Sequence, residues 1–238
     1  MIESISIIFP AFNEEKRLND CFQDIEKFLK NSKIENLEFI FVDDGSLDNT
    51  PIMIKQFIEN KNNFKLIKLE KNIGKGGALI NGVLASNNYW VLTLDTDISV
   101  SLEELNIWIK ENYLDNNKIY FGSRNIKKSK VDYIFFRKFI GLIFTTICKI
   151  LLNINIKDTQ CGFKLYNNEV GKKIFSNLKE RGFAHDIEIV LIAKNLNIPI
   201  KELPVHWTHK PGSKVDLIKD SLKMLLTIIK LKITSIKL

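Results

Sequence analysis

Asp95 and Asp97 close the run WVLTLDTDIS at 90–99, where an apolar, β-favouring stretch meets two carboxylates two positions apart. Read as a buried strand, this run delivers both acids to its carboxyl end, where open α/β sheets keep their sites. Side chains two apart on a strand share a face, so the two carboxylates can converge on one hard divalent cation, Mg²⁺ or Mn²⁺, which in turn calls for a polyanionic ligand. Aspartates also end strands as plain turn formers, and this stretch alone does not decide between a metal site and turn chemistry.

Other strand ends carry chemistry of the same kind. Asp43 and Asp44 follow the apolar run LEFIFV and lead into Gly45-Ser46. The run FKLIKLE leads into Asn72-Ile73-Gly74-Lys75-Gly76-Gly77-Ala78. That glycine cluster fits neither G-x-x-x-x-G-K-[ST] nor G-x-G-x-x-G followed by a ribose-binding acid, which excludes the phosphate-loop ATPase and the dinucleotide-binding dehydrogenase. It makes a tight turn into a helix, and backbone amides with Lys75 at a helix start also suit an anionic nucleotide. Arg124 stands at the end of a further strand, KIYFGS, beside the same crevice.

The elements that must position these residues follow from periodicity. SISIIF at 4–9 reads as a strand that stops at Pro10, after which Asn13 caps a helix with Glu14 and Glu15 in its first turn, running to about residue 30. Helices near 51–59 and through 85 separate the next strands. This β-α alternation with short connections predicts a mostly parallel sheet with helices on both faces. Beyond it come a long apolar helix over 131–153 with basic punctuation, a polar turn at 158–164 and a helix near 168–177. Another helix opens at 183–188, where Asp186 and Glu188 favour its dipole, and an extended run covers 198–208. From about Val215 a last helix carries Lys219, Lys223, Lys230 and Lys237 on one stripe, with Leu222, Leu225, Ile229, Ile233 and Ile236 opposite. For this helix, and for 131–153, docking on the core and lying on a bilayer surface both remain open.

The 238 residues are enough for one sizeable core, with 45% hydrophobic and 26% charged residues as in an ordinary soluble protein. The net charge of +7 favours an anionic partner: nucleic acid, a phosphorylated small molecule or an acidic membrane surface. Nucleic acid lacks a reader motif here, and no platform of interleaved aromatic and basic residues is present. Cys21, Cys148 and Cys161 lie far apart with no Cys-x-x-Cys pair, which reads as reduced thiols. The N-terminus has no secretory pattern. The apolar stretch near 139–148 falls short of the roughly 20 residues a spanning helix needs, so no transmembrane segment and a cytoplasmic site are expected.

Taken together and in this order, PAFNEEKRL, VDDGS, NIGKGGALINGV, DTDIS, GSRN, DTQCGFKLY and FAHDIEIV resemble the motif series of family-2 glycosyltransferases of the GT-A fold. The likeness is greatest to the dolichyl-phosphate and polyprenyl-phosphate glucosyltransferase branch, and it spans residues 5 to about 232. The resemblance implies an α/β fold with a GT-A domain at 1–215, its nucleotide-sugar part at 1–125 and its acceptor part at 126–215, followed by an amphipathic helix at 216–238. By the same resemblance Pro10, Ala11, Asn13 and Glu14, with Asp43 and Asp44, line the nucleoside pocket, and Lys75 sits by the base or phosphates. Asp95 and Asp97 match the family's D-x-D as ligands of Mg²⁺ or Mn²⁺. Arg124 and Arg137 match positions that hold the acceptor phosphate or the donor diphosphate, and Lys214 resembles a cationic contact that closes over them. Ser99 replaces the glutamine common in mannosyl relatives and is similar to the glucosyl branch.

The implied reaction is inverting transfer of a hexose, glucose from UDP-glucose, to a polyprenyl or dolichyl phosphate. The protein would sit peripherally on the cytoplasmic face of a membrane, with or without a membrane protein as anchor. Asp97, Asp158 and Asp186 are the candidate catalytic residues, the last two as contacts to sugar hydroxyls or as a base if the acceptor is a hydroxyl. The alternatives are a hydroxyl acceptor on a glycan or glycolipid, a GDP-mannose donor, and a catalytically idle nucleotide-binding scaffold.

Overall fold

The computed structural model describes residues 2–111, 113–115, 118–132, 146–210 and 225–232. Its strands in chain order are β1 (Ser4–Ala11), β2 (Asn36–Asp43), β3 (Phe64–Lys68), β4 (Trp90–Thr93), β5 (Ile119–Ser123), β6 (Lys130–Val131), β7 (Lys164–Asn167), β8 (Ile200–Pro204) and β9 (His206–Trp207). Seven of them make one sheet in the order β3-β2-β1-β4-β7-β5-β8, and β6 pairs with β9 beside it. All neighbours in the large sheet are parallel except β7, which runs antiparallel to both β4 and β5. The expected mostly parallel sheet is therefore present, with one reversed strand at its middle.

Burial on both faces explains why β2 reads as a continuous apolar run rather than an alternating one. Phe39 and Phe41 point into one core with Phe9, Leu18 and Ile54, whereas Ile40 and Val42 point into the other with Ile8, Ala78 and Val83. On the first face α1 (Leu18–Asn31) buries Leu18, Cys21, Ile25 and Phe28 at helical spacing. Its Phe22 stacks on Phe57 of α2 (Thr50–Ile58) with ring centroids 3.9 Å apart. On the second face lie α3 (Lys75–Leu84), α5 (Asn168–Asn177) and α6 (His185–Asn195), while α4 (Glu103–Lys110) buries Leu105 and Trp108 in the first core. Burial pushes the Cys148 and Cys161 thiols up to about 12, so all three cysteines are free, buried and inert.

Several expectations are corrected. β1 continues through Pro10, because Ile8↔Thr93 is the last pair with β4 and the missing proline N–H faces a side where the ladder has already ended. Asn13 does not cap α1, whose first residue is Leu18. With φ at +52°, it instead accepts the Leu47 amide through its side chain at 2.8 Å, tying the loop after β1 to the loop after β2. β4 stops at Thr93, so strand alternation does not bring Asp95 and Asp97 together. A turn closed by Ile98 N–H to Asp95 C=O does so, with Ile98 at φ +52°. β7 is absent from the sequence reading, where its residues pass for a turn leading into a helix. KLYN has no apolar alternation, and its Lys164 is buried.

Of the two amphipathic segments, residues 131–132, 146–153 and 225–232 are described: 146–152 and 225–232 are helical, whereas the expected helix does not begin at Val131, which pairs in β6, and has ended by Asn153, at φ +51°. The two helical stretches send Cys148, Leu152 and Ile228 into the second core and leave Lys149, Ile150, Leu226, Ile229 and Lys230 outside. Residues 133–145, 211–224 and 233–238, Arg137 and Lys214 among them, lie outside the described residues. Among the described residues no helix is long and apolar enough to cross a membrane.

Candidate active site

The carboxyl ends of β1, β2 and β4 and the start of α3 surround a cleft of about 390 Å³. Pro10, Ala11, Glu14 and Arg17 line it from the β1 side, Asp44 from β2, Gly74 and Lys75 from the approach to α3, Asp95 and Asp97 from β4, and Gly182 and Phe183 from the loop before α6. The chain's first parallel strands place these groups together because a right-handed crossover returns each strand end to the same edge of the sheet.

At the floor of the cleft Asp95 meets the Lys75 amine at 2.5 Å. Burial works against the lysine's charge, but Asp95, Asp186 and Asp97 outweigh it and hold its pKa above the usual range, so Lys75 is a fixed cation. Asp97 accepts the Ser99 amide at 2.9 Å and lies 3.7 Å from Arg17. Burial, then the neighbouring Asp95 charge, raises the Asp97 carboxyl above its ordinary value. Two hard oxygen donors under mutual repulsion fit a divalent cation. No cluster of three or more ligating side chains is found among the described residues, so such an ion would complete its shell with water and phosphate oxygens.

The end of the cleft formed by Asp44 and the glycine cluster is built from loops tied to one another. Asp44 accepts the amides of Ile73 and Gly74 at 2.8 and 2.9 Å, and burial holds its carboxyl above the ordinary value. Gly74 has φ +94°, and a Cβ there would drive into the Arg181 carbonyl, which is why this corner requires glycine. Since the Gly77 and Ala78 amides are also taken by backbone carbonyls, four amides of the glycine cluster serve the fold, and Lys75 is what it presents to the cleft. Asp43 lies fully buried beneath: one oxygen accepts the Ser46 amide at 3.2 Å, and the other has no partner among the described residues.

Two further aspartates sit outside the cleft lining in buried ion pairs. Asp158 receives the Arg124 backbone amide at 2.9 Å and its guanidinium at 2.7 and 2.8 Å. Burial alone would raise the Asp158 carboxyl, but Arg124 holds it below the usual carboxylate range. Asp186 meets Lys164 at 2.5 Å and His185 at 3.3 Å. Its burial is likewise outweighed, by His185, Lys164 and Lys75, so its pKa is low. Burial chiefly lowers the His185 pKa, and its Nδ1 contacts the Gly182 carbonyl at 2.7 Å, fixing the loop that forms one wall of the cleft.

The structure therefore gathers Pro10, Ala11, Glu14, Asp44, Lys75, Asp95 and Asp97 in one cleft, places Asn13 in the loop after β1 and Asp43 at the end of β2 beneath it, and puts Arg124, Asp158 and Asp186 in paired positions beyond it. Sequence reasoning missed Arg17, whose signal is its i,i+3 spacing from Glu14, and Lys164, which carries no signal outside the three-dimensional pairing. It also missed Gly162. A Cβ on Gly162 would come within 2.6 Å of the Asp95 carboxylate, a side chain able to rotate away. Gly162→Ala is accordingly expected to leave thermal unfolding nearly unchanged while weakening Mn²⁺ binding about tenfold, as displacement of a supported ligand does. Scanning calorimetry checks the first and calorimetric titration with Mn²⁺ the second.

A mostly parallel sheet with a D-x-D turn at the carboxyl edge of its fourth strand defines a GT-A type of glycosyltransferase fold. Residues 6–175 match the family model "Glycosyl transferase family 2", and the chain belongs to glycosyltransferase family 2. It is 36% identical to the dolichyl-phosphate beta-glucosyltransferase of Dictyostelium discoideum, over 96% of this chain and 73% of that protein. To the enzymes of the same name from Saccharomyces cerevisiae and Homo sapiens it is 33% and 32% identical, covering 92% and 90% of this chain and 71% and 70% of theirs. In fold it is similar to glucosyl-3-phosphoglycerate synthase from Mycobacterium tuberculosis in complex with uridine-diphosphate, at a TM-score of 0.70 and 17% identity over 97% of this chain and 80% of that one. The complex of that enzyme with Mn²⁺ and uridine-diphosphate-glucose gives 0.69 at 16%, over 97% of this chain and 79% of the other.

Proposed function

We propose that this protein transfers glucose from UDP-glucose to the phosphate of a dolichyl or other polyprenyl carrier, with inversion at the anomeric carbon. The observation that carries the reading is the similarity of nearly the whole chain, at 30% identity or better, to dolichyl-phosphate beta-glucosyltransferases from several organisms. The site's chemistry supports it. An ionised phosphate needs no strong base to attack the anomeric carbon, whereas a sugar hydroxyl does. Asp158 and Asp186, the sequence's candidates for such a base, are both held at low pKa by buried cations, which suits the phosphate acceptor better than a hydroxyl.

In this reading the loops after β1 and β2 hold the nucleoside, with the unpartnered oxygen of Asp43 as a buried acceptor beneath them. Asp95 and Asp97 hold Mg²⁺ or Mn²⁺. When bound, that ion neutralises charge on the departing nucleoside diphosphate. Lys75 adds a fixed positive charge beside the same leaving group. Asp158 positions Arg124, and Arg124 with Arg137 and Lys214 orients the acceptor phosphate, where orientation supplies much of the rate. Residues 1–125 form the donor part and 126–215 the acceptor part. Exposed Ile150, Leu226 and Ile229, beside Lys149, Lys230 and Lys232, provide an apolar and basic surface for peripheral contact with the cytoplasmic leaflet, each basic residue near an anionic bilayer contributing about 1 kcal/mol.

The test offers purified protein labelled UDP-glucose, Mn²⁺ and a short polyprenyl phosphate in detergent. An organic-extractable, acid-labile labelled product is expected, and none with free polyprenol as acceptor. A product formed only with GDP-mannose overturns the donor, and one formed with polyprenol overturns the phosphate acceptor.

A further inference from the structure

Arg17 lies in the motif PAFNEEKRL but has no role of its own in the sequence reading, and it stands in the wall of the cleft with a side chain only 18% exposed. Two of its three nitrogens are committed: Nε and Nη2 each donate to Glu14, both at 2.6 Å. A fork-to-carboxylate pairing fixes the plane of the guanidinium as well as its position. Glu14 is itself anchored, since its backbone amide donates to Thr50 Oγ1 at 2.6 Å and its carbonyl accepts the Arg17 amide at 2.8 Å. The third nitrogen, Nη1, lies 3.7 Å from Asp97, which is longer than a hydrogen bond. Arg17 thus comes from the loop after β1 and Lys75 from the start of α3, and between them they bracket the two carboxylates of the D-x-D turn.

We infer that Arg17, held by Glu14, is a second cation for the diphosphate of the donor, facing it from the side opposite Lys75. The inference rests on the reading that the cleft takes a nucleoside diphosphate sugar. A diphosphate lying against two carboxylates through one divalent ion has oxygens left over on both flanks, and Lys75 reaches only one flank. Arg17 covers the other with donors already oriented, so little side-chain entropy is lost when the ligand arrives. Glu14 is then a positioning residue for Arg17, not a direct contact to the nucleoside.

Binding of UDP and of uridine to the full-length protein in the presence of Mn²⁺ separates this role from a structural one, using calorimetry for the nucleotide and ligand-observed NMR for the weaker nucleoside. Arg17→Gln is expected to weaken UDP at least about tenfold, the loss of a charge-assisted hydrogen bond, with uridine unchanged within about twofold. Arg17→Lys keeps the charge without the fork and recovers part of that loss. Glu14→Gln shifts UDP in the same direction by less, again sparing uridine. Retained UDP affinity in Arg17→Gln overturns the inference, and so does an equal loss of UDP and uridine, which would mean that the loop had merely come apart. Wild-type protein that binds GDP in place of UDP overturns the donor reading alone, since GDP against guanosine then tests Arg17 in the same way. Binding of neither nucleotide overturns both.

Discussion

Asp97→Asn is expected to lower glucosyl transfer by at least about 10²-fold at saturating donor, the scale on which loss of one preorganised charge-stabilising group acts. The substitution is nearly isosteric. The Asn carbonyl still accepts the Ser99 amide, which Asp97 takes at 2.9 Å, so the turn through Ile98 stays closed. What disappears is one of two negative charges on the ion site, and with it the balance against Lys75 and Arg17. Because burial and Asp95 already disfavour the charged form of Asp97, removing that charge relieves repulsion and is expected to raise thermal stability slightly. Lost transfer with retained or improved folding is the combined signature, read from labelled product as a function of Mn²⁺ concentration and from a melting curve. A variant with intact metal-dependent turnover would retire the assignment of Asp97 to the metal.

Lys164→Met is expected to destabilise the fold by about 3–5 kcal/mol, the penalty for leaving a buried charge without its partner. Lys164 is 1% exposed and Asp186 4%, and the lysine also donates to the Cys161 carbonyl at 2.7 Å, so its loss strips one carboxylate and one carbonyl at once. The double variant Lys164→Met/Asp186→Leu should recover much of the loss, because an apolar pair of similar volume does not have to desolvate charge. Urea unfolding of the three proteins checks this, and equal stability of the single and double variants would refute it. A pH dependence follows from the same pair. Asp186 and Asp158 sit below their ordinary value of 3.8, so each contributes stability that is fully present above that value and is lost as pH falls through the lower folded-state value. Wild-type protein should therefore resist acid to below about pH 4, and Lys164→Met should unfold at higher pH, since Asp186 has lost one of its cations.

Most of the unit from β1 to β4 was legible because its elements are local. Strand, turn and helix follow one another with short connections, β2 and β4 are rich in consecutive apolar residues, and acids stand at or just past their ends. The cleft therefore followed from one-dimensional pattern, even though the reason Asp95 and Asp97 adjoin is a turn and not strand alternation. What escaped was non-local. β7 exists only because β4 and β5 flank it, and Lys164 is acceptable in its interior only because Asp186 arrives from α6. Asp158 reads as a free carboxylate until Arg124, from the turn after β5, is brought against it. Arg17 was legible as part of the run PAFNEEKRL and illegible as a cleft residue, since nothing in the spacing tells which way the loop after β1 turns.

The reversed strand at the middle of the sheet bears on how the chain is made. As the chain leaves the ribosome from its amino end, β1 to β4 and their helices can assemble as a four-stranded parallel unit from residues 4–93 alone. Until residues 164–167 are synthesised, WVLT of β4 is the outer edge of that unit, with one row of backbone donors and acceptors unpaired. An exposed apolar edge of this kind is a template for pairing with another chain. During synthesis the nascent protein thus presents this edge until residues 164–167 have been translated. The strand that finally covers that edge also delivers, in the residues just before it, the glycine that packs on Asp95, so closing the sheet and seating the D-x-D turn go together.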